Sequence, residues 1–133
     1  IIAEQLAAAW RGDQLFVFQD GANLTHVWFS SWENENAARA WMRASQKTLA
    51  ARHGVRFEKP AKSKNGLLIA TARNRRGWLL QSSGPVVVVV NAPSANGLIE
   101  LAEHAWKDLE IEADSTLLPF ELAGRPAQSF RRR

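Results

Sequence analysis

The sequence predicts an α+β fold: a mostly antiparallel sheet of five to seven strands with two main helices packed on one face. Three observations carry this expectation. Two segments place their apolar side chains at helical spacing: Ala38, Trp41, Met42, Ser45 and Leu49 in one, and Leu98, Leu101, Ala102, Ala105 and Leu109 in the other. Short runs rich in β-branched and aromatic residues fill most of the remaining chain. Turn chemistry separates those runs, at Asp20-Gly21, at Asn-Arg-Arg-Gly (74–77) and at Ser-Gly-Pro (83–85).

Taken in order, the opening IIAEQLAAAW spaces Ile2, Leu6, Ala9 and Trp10 as a helix, with Gly12 as its stop. It reads as a helix over 1–11 that continues from upstream, because the chain starts Ile-Ile and lacks the charged start and small-residue cleavage site of a signal peptide. Strands over 15–19 and 24–32 form a hairpin about Asp20-Gly21. Asn34 is a good helix N-cap, Glu35 puts negative charge in the first turn, and Gly54 suits the C-terminal cap. A short strand over 55–58 and a polar loop lead to strands over 67–73, 78–82 and 86–90. The last of these, five consecutive valines, has no polar face. Ser94 then caps the second helix.

The two helical stripes match at an offset of sixty residues, as do the caps Asn34 and Ser94. A tandem hairpin-helix repeat is one explanation; the period shared by any two amphipathic helices is the other. Residues 1–123 form a single domain, within which Leu117, Leu118, Phe120 and Leu122 can dock as an irregular or edge segment. Residues 124–133 are expected to form a flexible basic tail.

At 133 residues the chain can bury about two-thirds of its unfolded surface without a metal or a disulfide. It has no cysteine, which excludes disulfides, thiolate metal sites and cysteine nucleophiles. Its apolar runs fall far short of the roughly 20 residues that a membrane span needs. Six Trp and six Phe with no Tyr tilt the aromatic residues toward core packing, since Tyr is what binding surfaces use most freely.

Alternation in the second strand puts His26, Trp28, Ser30 and Trp32 on one face and Val27, Phe29 and Ser31 on the other. Both faces are bulky, so something must cover each. The helices cover one. The other is covered by the N-terminal helix, the C-terminal tail or a second subunit, or else is a tryptophan-lined groove for a small apolar or sugar-like ligand. Between 52 and 76 lie eight basic residues against Glu58, and between 100 and 121 seven acids against Lys107, so the net charge of +4 conceals a dipolar molecule. The basic stretch can neutralise phosphates, but its only ring is Phe57, whereas single-strand binders interleave several. Solvated loops, or electrostatic complementarity with an acidic neighbouring domain or subunit, is the default account of it.

Nothing in the pattern nominates a catalytic residue, a metal site or a cofactor: His26, His53 and His104 are scattered, and nucleophile elbows, phosphate loops and dinucleotide fingerprints are missing. The candidate binding residues are His26, Trp28, Trp32, Arg73, Arg75, Arg76 and Trp78. The expected function is a non-catalytic binding or accessory domain. It would act through the tryptophan face or the basic rim on another domain of the same polypeptide, a second subunit or a small ligand. The alternatives are a small enzyme with a pocket between helices and sheet, and a nucleic-acid-binding domain using residues 52–76.

The stretch RGDQLFVFQDGANLTHVWFSSWENENAARAW, with Gly12, Asp13, Asp20, Gly21, Trp28, Trp32 and Glu33, resembles an uncharacterised α+β module of exported bacterial and archaeal proteins. That module is often appended to zinc-peptidase-like or repeat domains. The later VVVVVNAPSANGLIELAEHAW is similar in character. The resemblance implies an accessory, non-catalytic role outside the cytoplasm, periplasmic or extracellular. The peptidase motif is not in this chain, so no catalytic residue carries over.

Overall fold

The computed structural model describes residues 3–60 and 66–115. In chain order the elements are α1 (Ala3–Ala9), β1 (Trp10–Asp20), β2 (Asn23–Trp32), α2 (Glu35–His53), β3 (Leu67–Thr71), β4 (Gly77–Ser83), β5 (Val86–Ala92) and α3 (Leu98–Ser115). The strands form one sheet in the order β1-β2-β5-β4-β3, and every neighbouring pair is antiparallel. This is the α+β fold with a five-stranded antiparallel sheet that the sequence predicts. The docking expected of Leu117, Leu118, Phe120 and Leu122, and the tail over 124–133, lie outside the described residues.

The helices are placed differently from expectation: α2 and α3 lie on opposite faces of the sheet. The strand β5 shows why. Its valines alternate, so Val87 and Val89 join the cluster under Ala38 and Met42 of α2, while Val88 and Val90 join Leu98 and Ala102 of α3. Leu80 and Leu79 divide in the same way on β4. With both helices on one face, Val27, Phe29, Leu79, Val88 and Val90 would stand in water, at roughly 1.5–3 kcal/mol for each large side chain left exposed. One helix on each side removes that cost. The face opposite the tryptophans is therefore covered by the second main helix.

This arrangement also rules out a superposable repeat. The rotation that exchanges two antiparallel neighbours such as β2 and β5 is perpendicular to the sheet, and it would carry α2 to a position on its own face. Trp28 faces α2, yet its counterpart at an offset of sixty, Val88, faces α3. The order of elements recurs, but the unit does not. Ser94, matched with Asn34 in the sequence, does not cap α3: its Oγ accepts from the Asn96 amide at 3.0 Å in a tight turn, and α3 starts later, with the Leu101 amide bonded to Gly97 O. Asn34 does cap α2, accepting from the Ala37 amide at 2.8 Å, and Gly54 closes it in the left-handed conformation at φ 63°.

Three local expectations shift. The opening helix ends at Ala9, whose carbonyl accepts from the Glu33 amide at 2.7 Å, and Trp10 already belongs to β1, where it is exposed rather than part of an inward stripe. The strand expected over 55–58 contracts to a single bridge in which Glu58 and Ile69 exchange both backbone hydrogen bonds. The next bonded position of such a ladder would be Pro60, which has no N–H to give. Gly77, read as a turn residue, instead sits buried at the start of β4. A Cβ there would come within 2.6 Å of the Ala95 backbone in the loop that leads into α3.

Candidate functional site

The tryptophan face is where the sequence places it, and it is filled. Trp28 and Trp32 lie on the α2 side of β2, and Trp41 of α2 reaches both. It meets Trp28 edge to face with centroids 5.7 Å apart, and it stacks on Trp32 at 5.2 Å and 28°. Each strand tryptophan also has its N–H satisfied: Trp28 Nε1 donates to Asp13 Oδ2 and Trp32 Nε1 to Ser30 Oγ, both at 2.9 Å. Trp32 is 6% exposed. The stacked and buried ring of Trp32 is closed to a ligand, and both residues, Trp28 half-buried, hold α2 to the sheet.

The remaining candidates converge at one end of the sheet. His26, Asn91 and Trp78 are neighbours in one row across β2, β5 and β4. Arg76, just before β4, closes that row: its Nε donates to Asn91 Oδ1 at 2.9 Å and its Nη2 to Leu24 O at 2.7 Å. One guanidinium thus ties three strands together while bonded only to neutral oxygens. Trp78 carries the His53 imidazole from the last turn of α2, with centroids 4.9 Å apart. Arg73 and Arg75 sit exposed in the β3–β4 turn, where Arg75 holds a left-handed backbone at φ 70°. The structure therefore brings His26, Arg76 and Trp78 together with Arg73 and Arg75 close by, and separates them from Trp28 and Trp32, which belong to the core.

A third feature was not read from the sequence. On the α3 side an apolar cavity of about 130 Å³ lies between Phe16, Phe18, Val27 and Phe29 of the hairpin and Leu101, Ala105 and Leu109 of the helix. It arises because α3 packs on β4 and β5, two strands away from β1, and leaves the aromatic residues of β1 only partly roofed. His104 and Asp108, one helical turn apart, stand at its mouth. The four large hydrophobic residues most exposed among those described, Trp10 (49%), Leu15 (42%), Phe18 (52%) and Leu24 (37%), all belong to the same hairpin. The signal was present in LFVF, where apolar residues occupy both faces of an edge strand, but the sequence alone does not show that β1 is an edge.

Among the described residues, no three His, Asp or Glu side chains gather closely enough to hold a metal ion, and no helix is long and apolar enough to cross a membrane. A family model described as a domain of unknown function (DUF8575) matches residues 2–102, which take in all five strands and the first turn of α3. No curated protein and no solved structure matches the chain.

Proposed function

The chain belongs to the DUF8575 family, and from the geometry of its hairpin we propose that it is a non-catalytic accessory domain that receives an apolar segment of another polypeptide along β1. The observation that carries this reading is the coincidence of three properties on one element. β1 is an edge strand, its exposed apolar side chains project from both faces, and one of those faces opens into the cavity beside Phe16 and Phe18. An edge strand offers a row of backbone donors and acceptors to an incoming strand, and pockets for alternate side chains then set its preference. From 12 to 19 the only charged residue on β1 is Asp13, so the edge lacks the lysines and prolines that usually blunt such pairing. The cavity size decides what enters. Sites for small ligands and cofactors run to about 300–1,000 Å³, whereas about 130 Å³ suits a single leucine or phenylalanine side chain.

The test is selection of peptides from a random displayed library, followed by mapping of the bound site on backbone amide resonances. We expect extended peptides with aliphatic or aromatic residues at alternate positions, and shifts concentrated on β1 and on Leu101 to Leu109. Ala105→Leu, which fills the cavity, should abolish their binding while leaving the remaining spectrum in place. Shifts centred on Trp28 and Trp32, or binding indifferent to Ala105→Leu, would refute the reading.

A further inference from the structure

The end of the sheet that gathers Arg76, Trp78 and His53 has a second use, independent of β1. Three separate stretches meet there. The last turn of α2 brings Arg52 and His53, the β3–β4 turn brings Arg73 and Arg75, and the segment after Gly54 brings Arg56. The Glu58–Ile69 bridge is antiparallel, so Arg56 lies level with Thr71, at the start of that turn. The His53–Trp78 contact at 4.9 Å places the helix end against the first residues of β4.

Among the described residues, none of these cations has an acidic partner. Two ion pairs occur among the described residues, Arg11–Glu33 and Arg39–Glu35, and both lie at the opposite end of the sheet, near the start of α2. The nearest acid in sequence, Glu58, pairs with none of them. Arg76 is held by an amide oxygen and a carbonyl, neither of which brings a negative charge to it. Like charges brought to one end of a sheet repel one another, and a bound polyanion relieves that repulsion. The sequence stretch had one ring of its own, Phe57, which is buried. The fold adds a second ring from outside it, by setting the half-buried Trp78 against the exposed His53 imidazole at a tilt of 34°.

We propose that this rim binds a single nucleic-acid strand, through phosphate contacts from Arg52, Arg56, Arg73 and Arg75 around the His53–Trp78 ring pair. An acidic peptide would meet the charge but leave the flat ring unused. A phosphodiester strand supplies repeating charge and planar bases together. Recognition is of the backbone and of any base face, so no sequence preference follows.

The experiment is fluorescence anisotropy of a labelled twelve-nucleotide DNA and its RNA equivalent, titrated with the chain between about 50 and 200 mM salt, with polyglutamate as competitor. Affinity should fall with salt. The double variant Arg73→Ala/Arg75→Asn, in which asparagine tolerates the left-handed backbone of position 75, should lose at least tenfold. It should also flatten the logarithmic salt slope by about 1.4, at about 0.7 for each single-strand phosphate released. His53→Ala should lose about fivefold with the slope unchanged, the low end of a base-ring stack. Thermal melts of both variants report whether the fold is intact. Three results would each overturn the proposal: no binding at 50 mM salt, polyglutamate competing as well as unlabelled oligonucleotide, or unchanged affinity in a folded Arg73→Ala/Arg75→Asn variant.

Discussion

Under α2 the sheet is packed with rings, whereas under α3 it is packed with valines and leucines and keeps a hole. The same strands contribute to both faces, so the contrast comes from side-chain size and from where each helix lies. Trp28, Trp32 and Trp41 are large enough to bridge from β2 to a helix that also spans β4 and β5. On the other side Val88, Val90 and Leu79 let α3 settle over β4 and β5, and Trp106 reaches back, edge to face with Phe29 at 5.4 Å and with its N–H given to Gln81 Oε1. Phe18, 52% exposed, stays outside that reach. Tryptophan, often taken as the mark of a binding site, here closes a face, and the smaller residues opposite leave the opening.

The sharpest way to break this contrast is to truncate one ring on each side. Trp32→Ala should cost about 3–5 kcal/mol, the range for emptying a buried aromatic site. Phe18→Ala, half in water already, should cost less than about 1 kcal/mol. Urea midpoints with unchanged m-values measure both. Equal losses would mean that the α3 side is as tightly packed as the α2 side and that the cavity is not a persistent feature.

Much of this was legible beforehand because period is a local property. The alternation through His26, Trp28, Ser30 and Trp32, the stripe from Ala38 to Leu49 and the caps at Asn34 and Gly54 can each be read within a dozen residues, and each appears in the structure. The unread part depends on contacts distant in sequence. Five valines announce that both faces need cover, but nothing local says that α2 takes one and α3 the other. Arg76 reads as one more surface cation, because its partners Asn91 and Leu24 O are fifteen and fifty-two residues away. Trp78 reads as a strand residue until His53 is found on it. The matched stripes misled for the converse reason: shared helical period is cheap, and it carries no information about handedness.

A smaller effect sharpens the comparison from the open side. Ala105 lines the cavity, and Ala105→Leu adds three carbons to a space of about 130 Å³. The gain should be about 1 kcal/mol, less than the full cavity term because the mouth admits water. The same variant is expected to abolish peptide capture. Stabilisation and loss of binding in one substitution would tie the opening to its use, and a destabilised variant would show that the space is already occupied.

The smallest effect tests the closed side. Ser45 lies on the inner stripe of α2, one turn from Trp41, and its Oγ and the Trp41 Nε1 are buried with no hydrogen-bond partner among the described residues. Burying a hydroxyl without a partner costs about 1–3 kcal/mol, and serine is also a poorer helix former than alanine. Ser45→Ala removes the buried hydroxyl and keeps most of the volume, so stability should rise by about 1 kcal/mol, read as a higher urea midpoint. A loss of stability would mean that the hydroxyl and the indole N–H share a buried water, and that the closed face is held partly by a polar bridge rather than by ring packing alone.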